Sequence, residues 1–152
     1  MSTNIFYLAL YALLVASGAS AAEKRIRMES LPPAVQKTVQ EQSKGGTIRG
    51  LAKEIEGGKT FYEAELTING HNKDLLIDPA GSVVEVEEEV ALDSVPAAVK
   101  DAIQKRAAKG QIVVVESVSK KDRIVAYEAK IKTAGKTSEI AVKPDGSPSK
   151  EP

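Results

Sequence analysis

The sequence predicts an α+β protein: two tandem repeats, each one helix packed on a three- to four-stranded antiparallel meander sheet. Three observations predict it. Thr60 to Ser82 (TFYEAELTINGHNKDLLIDPAGS) returns as Val125 to Ser147 (VAYEAKIKTAGKTSEIAVKPDGS). Tyr62, Glu63, Ala64, Gly70, Pro79, Gly81 and Ser82 answer to Tyr127, Glu128, Ala129, Gly135, Pro144, Gly146 and Ser147, and such internal self-similarity decides an architecture before any single motif does. Each copy is preceded by an apolar stripe of helical spacing. Each then runs as short alternating segments separated by turn residues.

The first helix is expected to open at Ser30, with Leu31-Pro32-Pro33-Ala34-Val35 behind it. A serine oxygen can accept from a free first-turn amide, and proline is tolerated there because those amides have no helical partner. Leu31, Val35 and Val39 form the stripe, and Gly45-Gly46 ends the element. Ser94, then Val95-Pro96-Ala97-Ala98-Val99, repeats this opening, with Val95, Val99 and Ile103 as the stripe and Gly110 as the stop.

Strands are expected at 47–55, 61–68 and 73–78, with Tyr62, Ala64, Leu66 and Ile68 alternating onto the helix-facing side. The second copy offers 111–118, then Tyr127, Ala129 and Ile131 on the same face, then Ile140 and Val142. Asn69-Gly70 is a strong hairpin signal because both positions tolerate positive φ; Ala134-Gly135 is its counterpart. Copy-to-copy spacing is 64 residues up to Gly110 and 65 from Tyr127 onward, so one residue is gained, expected in the exposed loop between Lys120 and Arg123. A fourth strand is expected over 82–87 in the first copy and is missing from the second. The reading divides the chain into repeats at 30–88 and 93–147 and a disordered tail at 148–152, with 22–29 a mobile lead-in.

Lys+Arg and Asp+Glu both total 21 in 152 residues, 28% of which are charged. That balance lacks the basic excess of a nucleic-acid binder. Residues 1–22 stand apart. Ile5 to Ala16 is an uncharged apolar run, too short to span a bilayer comfortably, and Ala19-Ser20-Ala21 fits a small-residue cleavage site. They read as a secretory signal peptide although Lys and Arg are missing from its start, an uncleaved anchor being the other reading. A periplasmic or secreted product follows, with no stable membrane span after cleavage. The chain has no cysteine, so burial alone must stabilise it, which favours repeats sharing an interface over two independent units.

A helix opening with Leu31-Pro32 or Val95-Pro96, a strand holding Tyr62-Glu63 or Tyr127-Glu128, a turn at Gly70 or Gly135 and a last turn at Gly81 or Gly146 together resemble the PepSY-like domains, also described as β-lactamase-inhibitor-protein-like. The resemblance covers about residues 30–147. It implies exported bacterial proteins without known catalysis; in the inhibitor relatives, two tandem units join their sheets into a surface that grips another protein. One version of that role is regulation of a peptidase.

Few residues suggest chemistry. His71 is the single histidine and follows Asn69-Gly70 in a tight turn. It reads as filler, and a hydrolase built on it is the remote reading; with no cysteine beside it no ordinary zinc site forms. Glu85, Glu87, Glu88 and Glu89 read as a solvated strand end and linker, with weak calcium binding as the sharper reading. No catalytic residue, metal site or cofactor is expected. Phe61, Glu63 and Glu65, with Glu128 and Lys130, fall on the strand face turned away from the helices and are the expected contact residues for an envelope or extracellular protein partner. The alternative is a small ligand or divalent cation in the groove between repeats.

Overall fold

The computed structural model describes residues 24–149; the expected signal peptide and residues 150–152 lie outside them. Eight strands form one antiparallel sheet in chain order: β1 (Lys24–Arg25), β2 (Gly46–Glu56), β3 (Lys59–Ile68), β4 (His71–Ile77), β5 (Val83–Glu89), β6 (Gln111–Lys120), β7 (Arg123–Thr133) and β8 (Lys136–Val142). Helices α1 (Pro33–Gln42) and α2 (Ala97–Ala107) cover one face. The architecture is α+β, as expected.

The apolar stripes become the core. Leu31, Val35 and Val39 pack with Leu51, Ala64, Leu66, Leu75 and Ile77. Val95, Val99 and Ile103 pack with Val115, Tyr127, Ala129, Ile131 and Val142. Tyr62 packs against the first cluster and Tyr127 lies within the second. Gly81 and Gly146, both at positive φ, bring their turns against α1 and α2: a Cβ at either would stand 2.8 Å from Ala34 O or 2.5 Å from Ala98 O. Only glycine allows both that φ and that approach.

Several expectations need correction. The helices begin later than Ser30 and Ser94, which end short 3-10 turns (Met28–Ser30 and Leu92–Ser94); Pro32 and Pro96 occupy the cap positions with no side-chain cap. Proline's fixed φ and the extended residue it demands before it delay the first helical turn. Lys24 and Arg25 are not a free lead-in but an edge strand, in register with Lys53 and Ala52. Pro148 bridges Val142, and Ser149 N donates to Ala141 O at 3.1 Å, where tail was expected.

The gained residue is not in the loop. Gly57-Gly58 and Lys121-Asp122 are both two-residue turns with positive φ at each position. Glu56 pairs Lys59, and Lys120 pairs Arg123. The extra residue enters β7 instead: Val118 faces Ala126 and Ser119 faces Ile124, leaving Val125 as a bulge. A two-residue turn of this hand matches strand twist, so the insertion is absorbed where a strand can bulge.

Candidate functional site

The face of the sheet without helices is built by alternation. Tyr62, Ala64 and Leu66 point to α1, so Phe61, Glu63 and Glu65 point away, and Asp74 follows from Leu75 in the same manner. Cross-strand register then lines up Glu63 with Leu76 and Glu65 with Asp74. Leu76 faces Glu85, and Asp74 faces Glu87. Further along, Glu89 faces Glu116, Glu116 faces Glu128, and Lys130 faces Glu139. The result is an acidic surface running through both halves.

These acids are buried although no helix covers them. Glu54, Glu63, Glu65, Glu116 and Glu128 are each 5% exposed or less. Ala52, Val118 and Ala126, on the same face, are fully buried. Each ionised carboxylate there needs a counter-charge. Glu65 has one in Arg25, whose guanidinium donates to both oxygens at 2.9 and 2.8 Å. Arg25 reaches it by crossing Gly50, where a Cβ would overlap Arg25 Nη1 and Glu65 Oε2. Arg49, at a bulge in β2, donates to Asp74 Oδ1 at 2.6 Å and to Leu66 O at 3.1 Å. Lys120 sits 3.1 Å from Glu85, and Lys130 donates to Glu116 Oε2 at 3.2 Å.

Counter-charge runs short in the middle of the face. Burial pushes Asp74 up to about 6 against the pull of Arg49. Burial, with Glu116, Glu85 and Asp74 around it, pushes Glu87 up to about 8. Glu128 is driven far above the carboxylate range by burial and by a hydrogen bond with Glu139, and its Oε1 has no hydrogen-bond partner among the described residues. Burial alone would lower the Lys130 ammonium, yet Glu116, Glu139 and Glu87 hold it above its ordinary value. Burial and the surrounding negative charge thus favour the protonated carboxyl at Glu87 and Glu128, a form able to donate a hydrogen bond.

The five expected contact residues all lie on this face but not together. Phe61, Glu63 and Glu65 are on β3, Glu128 and Lys130 on β7; four strand spacings separate them, about 19 Å. Phe61 and Lys130 are half-buried, whereas Glu63, Glu65 and Glu128 are buried. Phe61 lines a groove of about 660 Å³ with Leu76, Pro79 and Val84, edged by Lys59, Glu85 and Lys120. The acidic run is not a solvated strand end: Glu85 and Glu87 lie within β5 and face inward across this surface, and Glu89 accepts from Asn72 N at 3.1 Å. Asp74, Glu116 and Glu139 were missed; period-two counting outward from Leu75, Val115 and Ile140 would have found them. His71 is exposed at the start of β4. Among the described residues, no group of three or more histidine, aspartate or glutamate side chains is disposed to hold a metal ion. Nor is any helix there long and apolar enough to cross a membrane.

No family model matches this chain, and no curated protein does. Solved structures share its fold. A protein from Bacteroides eggerthii described as periplasmic superposes with a TM-score of 0.61 and 21% identity, over 78% of this chain and 85% of its own. A DUF2874 family protein from Bacteroides ovatus gives 0.59 and 21%, over 80% and 86%. A BLIP-like protein from Bacteroides fragilis gives 0.55 and 20%, over 80% and 86%. The fold is thus β-lactamase-inhibitor-protein-like (BLIP-like).

Proposed function

We propose that the chain is a periplasmic, non-enzymatic binding module, built from two PepSY-like copies at 30–88 and 93–147, that grips a protein partner with the helix-free face of its sheet. The observation that carries this reading is the groove beside Phe61, an apolar floor open at the end of an otherwise buried, polar face. Aromatic side chains in such positions anchor protein contacts because they bury much area at small entropic cost. Phe61 and Lys130 touch the partner at the two ends of this face, with Glu63, Glu65 and Glu128 buried behind them. The BLIP-like fold agrees with a gripping surface, and the fold neighbours described as periplasmic agree with export on a signal at 1–22. Peptidase regulation is one form of this role.

The test is capture from envelope extract with quantitative mass spectrometry, comparing wild type, Phe61→Lys and, on the helix side, Gln40→Lys. A partner lost with Phe61→Lys and kept with Gln40→Lys supports the reading. Equal recovery of every partner by all three chains overturns it. The groove's volume also suits a small molecule, a second reading that a thermal-shift screen with metabolites and calcium separates from the first.

A further inference from the structure

Strand order places β8 at one edge of the sheet. Thr133 and Lys136 flank the two-residue turn Ala134-Gly135, where both positions have positive φ, and so exchange ladder hydrogen bonds. Counted in twos from there, Ser138, Ile140 and Val142 bond β7 in the same manner. Thr137, Glu139 and Ala141 then turn their N–H and C=O groups outward. Ala141 is already engaged on that side: its carbonyl oxygen accepts from Ser149 N and from Arg106 Nη1, each at 3.1 Å. Among the described residues, pairing along this edge stops there, with Pro148 beside Val142 and Ser149 beside Ala141. Lys136 to Ile140 stays open, about 17 Å at the rise of a strand.

The first half has a strand in the corresponding place. Ile77 pairs Val83 after one turn, and Val142 pairs Pro148 after the other, each partner lying 65 residues on from its counterpart. In the first half the chain runs on as β5, with Val86 opposite Leu75 and Glu87 opposite Asp74. Val86 packs against the first cluster, and Leu75 is 1% exposed. Ile140, the counterpart of Leu75, meets no strand on its outer side among the described residues and is only partly buried. Glu139 stands where Asp74 does. Arg49 donates to Asp74 at 2.6 Å, whereas Val113 takes the place of Arg49 in the second half. Lys130, which faces Glu139, is engaged by Glu116.

We infer that the open edge of β8 takes up an extended strand from another protein, antiparallel to it, in the position that β5 holds beside β4. The incoming strand alternates: an apolar, β-branched residue opposite Ile140 on the helix side, and a cation opposite Glu139 on the helix-free face. Thr137 and Glu139 supply the backbone hydrogen bonds, and the alternation sets the register. A second copy of β8 fits poorly. Laid antiparallel over this stretch, it sets Glu139 against Glu139, where like charges repel, or Lys136 against Ile140.

The test uses the isotope-labelled full chain and two short fluorescent peptides, one alternating valine and lysine, the other valine and glutamate. Anisotropy reads binding, and amide shifts read its place. The valine–lysine peptide should bind, shift the Thr137 and Glu139 amides and slow their hydrogen exchange. The valine–glutamate peptide should bind at least about tenfold more weakly. Thr137→Pro removes an outward donor but no bond to β7, and should weaken the valine–lysine peptide about tenfold. Equal binding of both peptides, binding that leaves the β8 amides unmoved, or no binding at millimolar peptide overturns the inference. So does protection of the Thr137 and Glu139 amides in the chain alone, which would mean that its own residues or a second copy cover the edge; sedimentation tells these two apart. Should Thr137→Pro fail to fold, the amide shifts and exchange of the natural chain decide.

Discussion

The first and second halves of this molecule share one strand frame and balance their buried charge differently. Gly50, Glu65 and Asp74 stand in a row across β2, β3 and β4; Val114, Lys130 and Glu139 stand in the corresponding row across β6, β7 and β8. In the first row arginines are brought in from outside: Arg25 over Gly50, and Arg49 from the bulge. In the second, Val114 takes the place of Gly50 and half-exposed Val113 that of Arg49, while the cation stands inside the row as Lys130. The clusters differ too. Leu75 is 1% exposed in the first, whereas its counterpart Ile140 is only partly buried beside the second. The comparison teaches that a pleated frame fixes which positions share a face, not how a charge placed there is neutralised.

The largest expected break is in the cores. Leu75→Ala should cost about 3 kcal/mol in chemical denaturation, and Ile140→Ala roughly half that, because a fully buried site collapses less completely around a cavity. Equal losses would show the second cluster to be as tightly packed as the first. Next is Gly50→Val, which gives the first half the side-chain volume of the second. It should expel Arg25, leave Glu65 without its two charged hydrogen bonds and cost about 2 kcal/mol, detectable as a lower unfolding midpoint and loss of β1 amide protection. Arg25→Ala should cost less, about 1 kcal/mol, since half of that side chain is already in water. Its cost should shrink in high salt, which screens a half-exposed pair; a loss independent of salt would mean Arg25 acts by packing. The smallest effect belongs to Lys100→Ala. Its exposed bond to Asp93 at 2.6 Å holds Asp93 low, yet an unchanged melting temperature is expected, so that the ion pair at the start of α2, where the first copy has Gln36, distinguishes the halves without stabilising either.

Much of the fold was legible. Val35, Val39, Val99 and Ile103 reveal themselves by spacing, and Asn69-Gly70 and Ala134-Gly135 form the hairpin turns expected of them. Lys24 and Arg25 were not legible as a strand, because two charged residues carry no periodicity and pair with β2 far along the chain. The bulge at Val125 was hidden because a count of spacing locates an insertion only to within a few residues. Of the site, Glu63 and Glu128 were visible through duplication. Glu116 was not, because Ala52 stands at its counterpart; Asp74 and Glu139 answer to each other as acids but not as identical residues, so only period-two counting marks them.

By itself, the sequence determined the helices, hairpins and turn glycines, and which side of each strand is apolar. Those features depend on steric and hydrophobic relations among residues a few positions apart. The tertiary structure alone decided that β5 pairs with β6 to make one sheet, that Arg25 crosses Gly50 to reach Glu65, and that acids from seven strands, β2 to β8, crowd one face. Each of these depends on register and bulges between strands distant in sequence, and burial then sets the charge that every carboxyl can hold.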